Sequence, residues 1–424
     1  MPLVHNTLIK KWSFEYWYFL IMIIYMAQMT EETSRMITTL SGNPIPFLIP
    51  IVTTVILLIR NPINWNSKKL WNIILIFVLW TLLIIIKYSD YSTQFLSYSF
   101  FLFYSLIIAF IHVNVYKENL FGLYEDIIVF LSKFSILLWL LSVIFPSIAS
   151  NIFRTFPETH FGNNFLYVFN WMNPSSGQYY SGIMRNAGFS WEPGRYAIMI
   201  CLAILFNIYN NGIRFKKNRN IIILLFALIT TQSTTGYMIT LLLYILFYIN
   251  NISKRTILKT LFIILPIVLT IMQLDFMSEK IKDRADVTTA NETFIEAESY
   301  FSKSGGLERH IALDRFQSMF FEWNNFINDP ILGYSKDVSK SWFAKNFISD
   351  YSLTGGIIQI LAQFGLIFGI FIYYTLFRSS VQISNIMKYK KNIALALCLT
   401  LSSISYPIFG IPVFTTFWLY GYYK

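Results

Sequence analysis

The stretch Ser181 to Ala197, SGIMRNAGFSWEPGRYA, places two arginines, a glutamate, a proline and three glycines between long apolar runs. Arginine is costly near a bilayer unless it pairs, faces water or performs a function. Arg185 and Arg195 flanking Glu192 form a candidate site for an anionic substrate. A guanidinium presents a planar fork of donors that fits phosphate oxygens in pairs, which an ammonium cannot do. Pro193 suits the first turn of the helix expected to begin near Arg195, and Glu192 would face the positive end of that helix. A plainer reading stands beside this one: such an arginine often binds lipid head groups, and an Arg–Glu pair can simply pin the loop.

These residues have to be carried by a membrane scaffold. The chain has 424 residues, 55% hydrophobic and only 13% charged, with mean hydropathy +0.52. That balance excludes an ordinary soluble domain and predicts an all-α polytopic membrane protein forming one domain over 1–424. Abundant Phe and Tyr fit interfacial belts. Cys201 and Cys398 both lie in apolar runs and read as small buried hydrophobes without a disulfide framework. The four histidines have no metal-ligand spacing, so no zinc site and no cofactor is expected. Net charge is +11 overall, yet Asp275 to Tyr351 holds 13 acidic against 9 basic residues, a net of −4, leaving +15 elsewhere. Much of that excess flanks the apolar runs, as the positive-inside rule requires, so it speaks to topology and anionic lipid rather than to nucleic acid. The first apolar run lacks a small-residue cleavage site and is expected to be retained as a span.

Lys10 and Lys11 precede the first expected span, Phe14–Met29, and place the N-terminus in the cytoplasm. Further spans are expected at Ile45–Ile59, Trp71–Ile86, Phe95–Val115, Ile127–Ile148 and Tyr196–Tyr209, then at Ile257–Leu274 and Leu353–Phe377. Ile221 to Ile249 is a run of 29 residues, about 43 Å as one helix against a hydrocarbon core of about 30 Å. Basic clusters flank it on both sides, and Thr230-Thr231-Gln232-Ser233-Thr234-Thr235-Gly236 interrupts it. Two half-depth helices with a polar tip are expected; one long tilted helix with a Thr-rich patch is the alternative. Ile393–Tyr423 repeats the pattern, broken by Ser402-Ser403-Ile404-Ser405-Tyr406-Pro407. Counting broken runs as pairs predicts about 12 spans with both termini cytoplasmic. Two large external pieces remain, 151–194 and 275–352, the second with a helix expected around Leu307–Asn325.

Four local patterns, taken in order, resemble the bacterial O-antigen polymerases (Wzy) and the related O-antigen ligases (WaaL). Arg185-Asn186-Ala187-Gly188-Phe189 with Glu192-Pro193 is similar to R-x-x-G-x-x-x-E-P. Thr231-Gln232-Ser233 to Gly236-Tyr237 is similar to T-x-S-R-x-G, with Thr234 where the family has an arginine. Gly306-Leu307-Glu308-Arg309 leads to Asp329-Pro330-Ile331-Leu332-Gly333, similar to an arginine followed by P-x-L-G. Leu361 to Gly369, LAQFGLIFG, is similar to L-x-E-x-G-L-x-G. Where the ligases carry a His-Asn pair ahead of that glycine, this chain has Thr354-Gly355, which favours polymerase over ligase. The resemblance covers Arg185 to Gly369 and implies a GT-C-like fold with both large loops in the periplasm, in the bacterial inner membrane.

The resemblance implies a metal-independent glycosyltransferase. It would move a growing glycan from undecaprenyl diphosphate to the non-reducing end of another lipid-linked repeat unit. Charge building on the leaving diphosphate is best stabilised by preorganised cations in a site with little water. Arg185, Arg195 and Arg309 are the expected clamp, with Arg315 as a further diphosphate contact unless it pairs with Asp314 or Glu322. Glu192 and His310 are the candidate bases for the acceptor hydroxyl; a salt bridge and an exposed loop histidine are their plain alternatives. His310 beside Arg309 would have its charged form disfavoured. Tyr351, with Trp171, Trp191 and Trp342, offers ring faces to sugars, although interfacial anchoring serves as well. Thr234 is counted with the substrate-binding residues. Paired acids for a metal, Glu31-Glu32 and Asp90, make a poor pattern. The implied partners are the undecaprenyl-diphosphate-linked oligosaccharide, membrane lipid and a chain-length regulator protein. Two alternatives stay open: an O-antigen ligase, and a transporter or flippase for the same lipid-linked sugar. A flippase usually shows two similar halves and short external loops, and neither is visible in this sequence.

Overall fold

The computed structural model describes residues 9, 11–28, 45–88, 93–145, 162–165, 169–172, 184–190, 192–212, 218–249, 311–312, 315–335, 337–346, 351–352, 356–389, 392–406 and 408–424. These residues are mostly helical. The helices are α1 (Phe14–Gln28), α2 (Ile45–Arg60), α3 (Lys68–Lys87), α4 (Thr93–Tyr116), α5 (Asn119–Ile144), α6 (Pro193–Asn211), α7 (Arg219–Thr231) and α8 (Thr234–Ile249). They continue with α9 (Arg315–Asn328), α10 (Trp342–Asn346), α11 (Ile357–Ile386), α12 (Ala394–Ser405) and α13 (Pro412–Tyr423). Short strands are β1 (Gly162–Phe165), β2 (Phe169–Met172), β3 (Arg185–Gly188), β4 (Ile311–Ala312) and β5 (Tyr351–Ser352). Among the described residues, Lys68–Lys87, Asn119–Ile144 and Ile358–Ile386 are long and apolar enough to cross a membrane. The expected helical membrane character is met at that level. The expected span Ile257–Leu274 lies outside the described residues.

The chain divides into two compact units. One is drawn from Met1–Ile63, Asn114–Glu279 and Ser384–Lys390, the other from Asn64–Val113, Lys280–Ile383 and Lys391–Lys424. In the first unit α6 is the core: every residue from Pro193 to Tyr209 is buried. A helix apolar all round has to be surrounded, and α6 packs against α5, α7, α8 and β3. Between helices that face lipid, close packing and internal hydrogen bonds hold the bundle, because moving an apolar side chain from lipid to protein gains little. A polar tie supplies such bonds. The buried Glu125 carboxylate on α5 accepts from Asn207 Nδ2 at 2.6 Å, Asn220 Nδ2 at 3.1 Å and Asn210 Nδ2 at 3.0 Å. These amides come from α6 and α7, so one carboxylate joins three helices.

The run Ile221–Ile249 is broken, as its Thr-rich centre predicts. Asn218 caps α7 by accepting from the Ile221 amide at 3.3 Å. At the other end Thr230 and Thr231 turn their hydroxyls back onto the Ala227 and Leu228 carbonyls, 2.7 Å in each case. Gln232 then adopts a left-handed conformation (φ 50°) that ends the helix. The Tyr237 hydroxyl donates to the Ile229 carbonyl at 2.8 Å. Eight residues of continuous helix would separate those positions by about 12 Å along the axis, so α8 does not continue α7. The second broken run ends its first helix at Ser405 and resumes at Pro412.

In the second unit, α11 kinks at Gly365 (φ 67°, ψ −175°), and the 330–335 loop fills the gap in its hydrogen bonding. Leu366 N donates to Pro330 O at 2.7 Å instead of to Ala362 O. Ala362 O and Gln363 O accept from Tyr334 N and Ser335 N, each at 3.0 Å. The approach is backbone to backbone. A Cβ on Gly365 would lie 2.1 Å from Ile331 O, and one on Gly333 2.5 Å from Gln363 O. Trp80 of α3 covers this joint, with ring centroids 5.1 Å from Phe364 and 5.8 Å from Phe368. Its indole N–H donates to Leu332 O at 3.4 Å. Lys87 pairs with Asp329, whose carboxylate also accepts from the Tyr88 hydroxyl at 2.9 Å.

Two expectations change. The 151–194 loop is not featureless: β1, β2 and β3 form an antiparallel sheet with Trp171 opposite Asn186 and Met172 opposite Arg185. The helix expected around Leu307–Asn325 begins at Arg315. Ahead of it, Ile311–Ala312 runs extended because it pairs in parallel with Tyr351–Ser352.

Candidate functional site

The sequence-predicted residues that are described in the first unit gather around the break between α7 and α8. β3 is buried along its whole length. Arg185 Nε donates to Thr231 O at 3.0 Å and its Nη2 to Gln232 O at 3.2 Å. These are carbonyls at the C-terminal end of α7, which intrahelical bonding leaves open and which carry the negative end of the helix dipole. A guanidinium placed there meets both needs at once. It also holds the broken tip, since the two carbonyls belong to consecutive residues at the turn.

Asn186, next in the strand, binds on both sides. Its Oδ1 accepts from Ser135 Oγ of α5 and from the Gly188 amide, both at 2.8 Å. Its Nδ2 donates to Thr230 Oγ1 at 2.9 Å. From sequence alone Asn186 is a motif position with no role of its own. The available signal was an amide beside an arginine in a stretch leading into a buried helix. Trp139 of α5 adds a bond to Met184 O at 2.7 Å.

Glu192 is the N-cap of α6, with extended backbone (φ −130°, ψ 136°) and no capping bond from its side chain. Its carbonyl begins the helix by accepting from the Arg195 and Tyr196 amides at 3.2 and 3.1 Å. Pro193 takes the first turn, as expected. Arg195, in the first turn of α6, is buried at 1% exposure. Tyr196, the next residue, donates to Ser132 Oγ at 2.9 Å, which seats the start of α6 on α5. Thr234 is half-buried and opens α8. Arg185, Glu192, Arg195 and Thr234 therefore occupy one unit, on β3, the first turn of α6 and the start of α8. Such a set can hold a negative group through guanidinium and hydroxyl donors.

The remaining expected residues are divided between the two units. Arg309 and His310 lie outside the described residues, as do Trp191, Glu31, Glu32 and Asp90. Arg315 is the first residue of α9, Tyr351 lies in β5 and Trp171 in β2; their side chains are outside the description. Trp342 opens α10.

A second buried polar centre lies on α9. Glu322 accepts from the Tyr334 hydroxyl at 2.7 Å and from Asn325 Nδ2 at 3.3 Å. Asn325 Oδ1 in turn accepts from the Phe343 amide at 3.0 Å. Burial pushes the Glu322 carboxyl up to about 8, while the bonds from Tyr334 and Asn325 act in the other direction. This network fastens α9, the 330–335 loop and α10 to one another. From sequence alone Glu322 stands only as a pairing partner for Arg315.

Among the described residues no group of three or more His, Cys, Asp or Glu is placed to hold a metal. Neither a comparison with models of known protein families nor one with characterised proteins finds a match for this chain.

Proposed function

We propose that this protein is a membrane glycosyltransferase that polymerises lipid-linked repeat units at the periplasmic face of the bacterial inner membrane. It transfers the glycan from undecaprenyl diphosphate to the non-reducing end of another lipid-linked unit, within a bundle of about 12 spans. The observation that carries the reading is the pair of buried arginines in an apolar bundle, Arg185 on the carbonyls that end α7 and Arg195 in the first turn of α6. Buried charge in such a setting is retained where it pairs or serves a function. In this reading Arg195, Arg309 and Arg315 are the cations that bind the diphosphate. Arg185 holds the tip through its bonds to Thr231 O and Gln232 O and adds its positive charge to the site. Glu192 or His310 takes the acceptor proton. The four motif resemblances support the assignment; the joint between Asp329–Gly333 and Leu361–Gly369 shows that two of them meet through backbone bonds.

The second reading, a flippase for the same lipid-linked sugar, is favoured by the two broken runs, which are common where a substrate path crosses a bilayer. One experiment separates them. Purified protein in vesicles receives a synthetic polyprenyl-diphosphate-linked repeat unit without nucleotide sugar or added metal. A ladder of longer glycans supports the polymerase. Transbilayer movement of the unit without elongation supports the flippase. Arg195→Lys and Arg309→Lys are expected to abolish the ladder while the protein still elutes as one folded species.

A further inference from the structure

The faces of α9 are inverted relative to a helix on a water-soluble surface. Ser318, Glu322 and Asn325 are each 0% exposed, whereas Trp323 is 46% and Ile327 54% exposed. At about 100° per residue, Phe320, Trp323 and Ile327 share one face and Ser318, Glu322 and Asn325 the opposite one. The two asparagines near the apolar face bind their own helix. Asn324 Nδ2 donates to Phe320 O at 3.0 Å and Asn328 Nδ2 to Asn324 O at 2.8 Å. Their amides are thus partly satisfied without water.

The apolar face does not stop at the end of the helix. Ile331 is exposed and is held against the α11 kink by the Leu366–Pro330 bond. Described residues of α11 before that kink, from Gln359 to Gly365, are buried or half-buried. From Leu366 onward one face is open: Leu366, Ile367, Ile370, Tyr374 and Phe377. α11 is one of the helices long and apolar enough to cross a membrane, and an open apolar face on such a helix suits contact with lipid. Twelve residues from Leu366 to Phe377 cover only about 18 Å, less than the hydrocarbon core of about 30 Å. Neighbouring apolar surface has to continue the belt; Ile331 sits at its Gly365 end through the adjacent Leu366–Pro330 bond, and Ile327, Trp323 and Phe320 precede it on α9.

We infer that α9 is an interfacial helix whose Phe320–Trp323–Ile327 face lies in the bilayer at the Gly365 end of α11, with its polar face turned into the protein. Amphipathic helices that lie in a membrane surface bury such an apolar face at the boundary of head group and acyl chain, and Trp favours that depth. The occupant of this face is lipid. The placement is independent of the reaction proposed above, and its test needs no turnover.

Single cysteines are introduced into the full chain as Phe320→Cys, Trp323→Cys and Ile327→Cys, with Ile370→Cys on the span and Asn346→Cys on α10 as references. The two native cysteines are buried, so an environment-sensitive fluorophore reports the new site. Variants that elute as one species are placed in phosphatidylcholine–phosphatidylglycerol vesicles, some with a nitroxide near the head-group end of the acyl chain. The expected result is that positions 320, 323 and 327 lose as large a fraction of emission to lipid nitroxide as position 370. Iodide in the water should quench them far less than position 346. Equal iodide quenching at 323, 327 and 346 would overturn the inference in favour of a water-exposed face. Protection from both quenchers would overturn it in favour of a protein partner, a second copy included.

Discussion

The guanidinium of Arg185 closes the open end of α7: its Nε donates to the carbonyl of Thr231 at 3.0 Å. A strand residue thereby fixes the point at which a half-length helix stops inside an apolar bundle. Replacing Arg185 with Lys leaves a single ammonium where a fork met two carbonyls. Leaving a buried carbonyl without its donor costs about 1–3 kcal/mol. Arg185→Lys is therefore expected to lower the thermal midpoint in detergent and to speed hydrogen exchange at Gln232 and Ser233. Arg185→Met should do so more strongly, with a loss of about 2–4 kcal/mol as a buried charge and its bonds disappear.

The joint between Gly365 and Ile331 makes a second prediction. Alanine at 365 would need φ near +67° and would place its Cβ 2.1 Å from a carbonyl oxygen. The backbone strain and the clash together should cost about 3 kcal/mol or more. Gly333→Ala meets the same joint from the other side. The double variant should cost less than the sum, because either change already opens the joint. Exchange at the amides of Tyr334 and Ser335 measures this directly.

Glu322 makes the α9 region sensitive to pH. Its carboxyl rises from 4.5 to about 8 in the fold, so the folded state holds a proton that the unfolded state has lost across that window. The stabilising contribution is fully present below about 4.5 and is lost as pH rises through about 8. Local opening of α9 should become more favourable by about tenfold per pH unit inside the window. Exchange of α9 amides, corrected for the chemical rate, checks this, and in Glu322→Gln the trend should flatten.

Glu125 of α5 is held by amide donors from two neighbouring helices. Oε1 accepts from Asn207 and Asn220, and Oε2 from Asn210. Glutamine at 125 would set an amide donor against donors. Glu125→Gln is expected to destabilise the α5–α6–α7 unit by about 1–3 kcal/mol despite equal size. Thermal unfolding of the purified variant gives the answer.

Much of this architecture was legible in the amino-acid sequence, and the rest was hidden for physical reasons. The helix break at Gln232 was readable because a 29-residue apolar run cannot span as one helix without strong tilt, and its threonines mark the place. Pro193 announced the start of α6. The sheet of β1–β3 was not readable, since strands of four residues carry too little periodicity to stand out from a polar loop. Nor was the kink at Gly365: glycine is ordinary in membrane helices, and its left-handed conformation comes from the 330–335 loop arriving from elsewhere in the chain. Arg185 stands out in the sequence as an arginine in a polar stretch between apolar runs. The bonds it makes to the α7 carbonyls depend on a fold-back that spacing alone does not specify. The burial of Glu322 and Asn325 was not readable either, because tertiary packing turns that polar face of α9 inward.

The most direct test of the central claim follows both halves of the transfer in one sample. Polyprenyl diphosphate released and glycosidic bonds formed are counted in vesicles holding the purified protein and a synthetic lipid-linked repeat unit. The account predicts one diphosphate freed for each unit added to the glycan, at a rate unchanged by chelator and lost in Arg309→Lys. Repeat units crossing the bilayer with no diphosphate released, or elongation undiminished in Arg309→Lys, would contradict it.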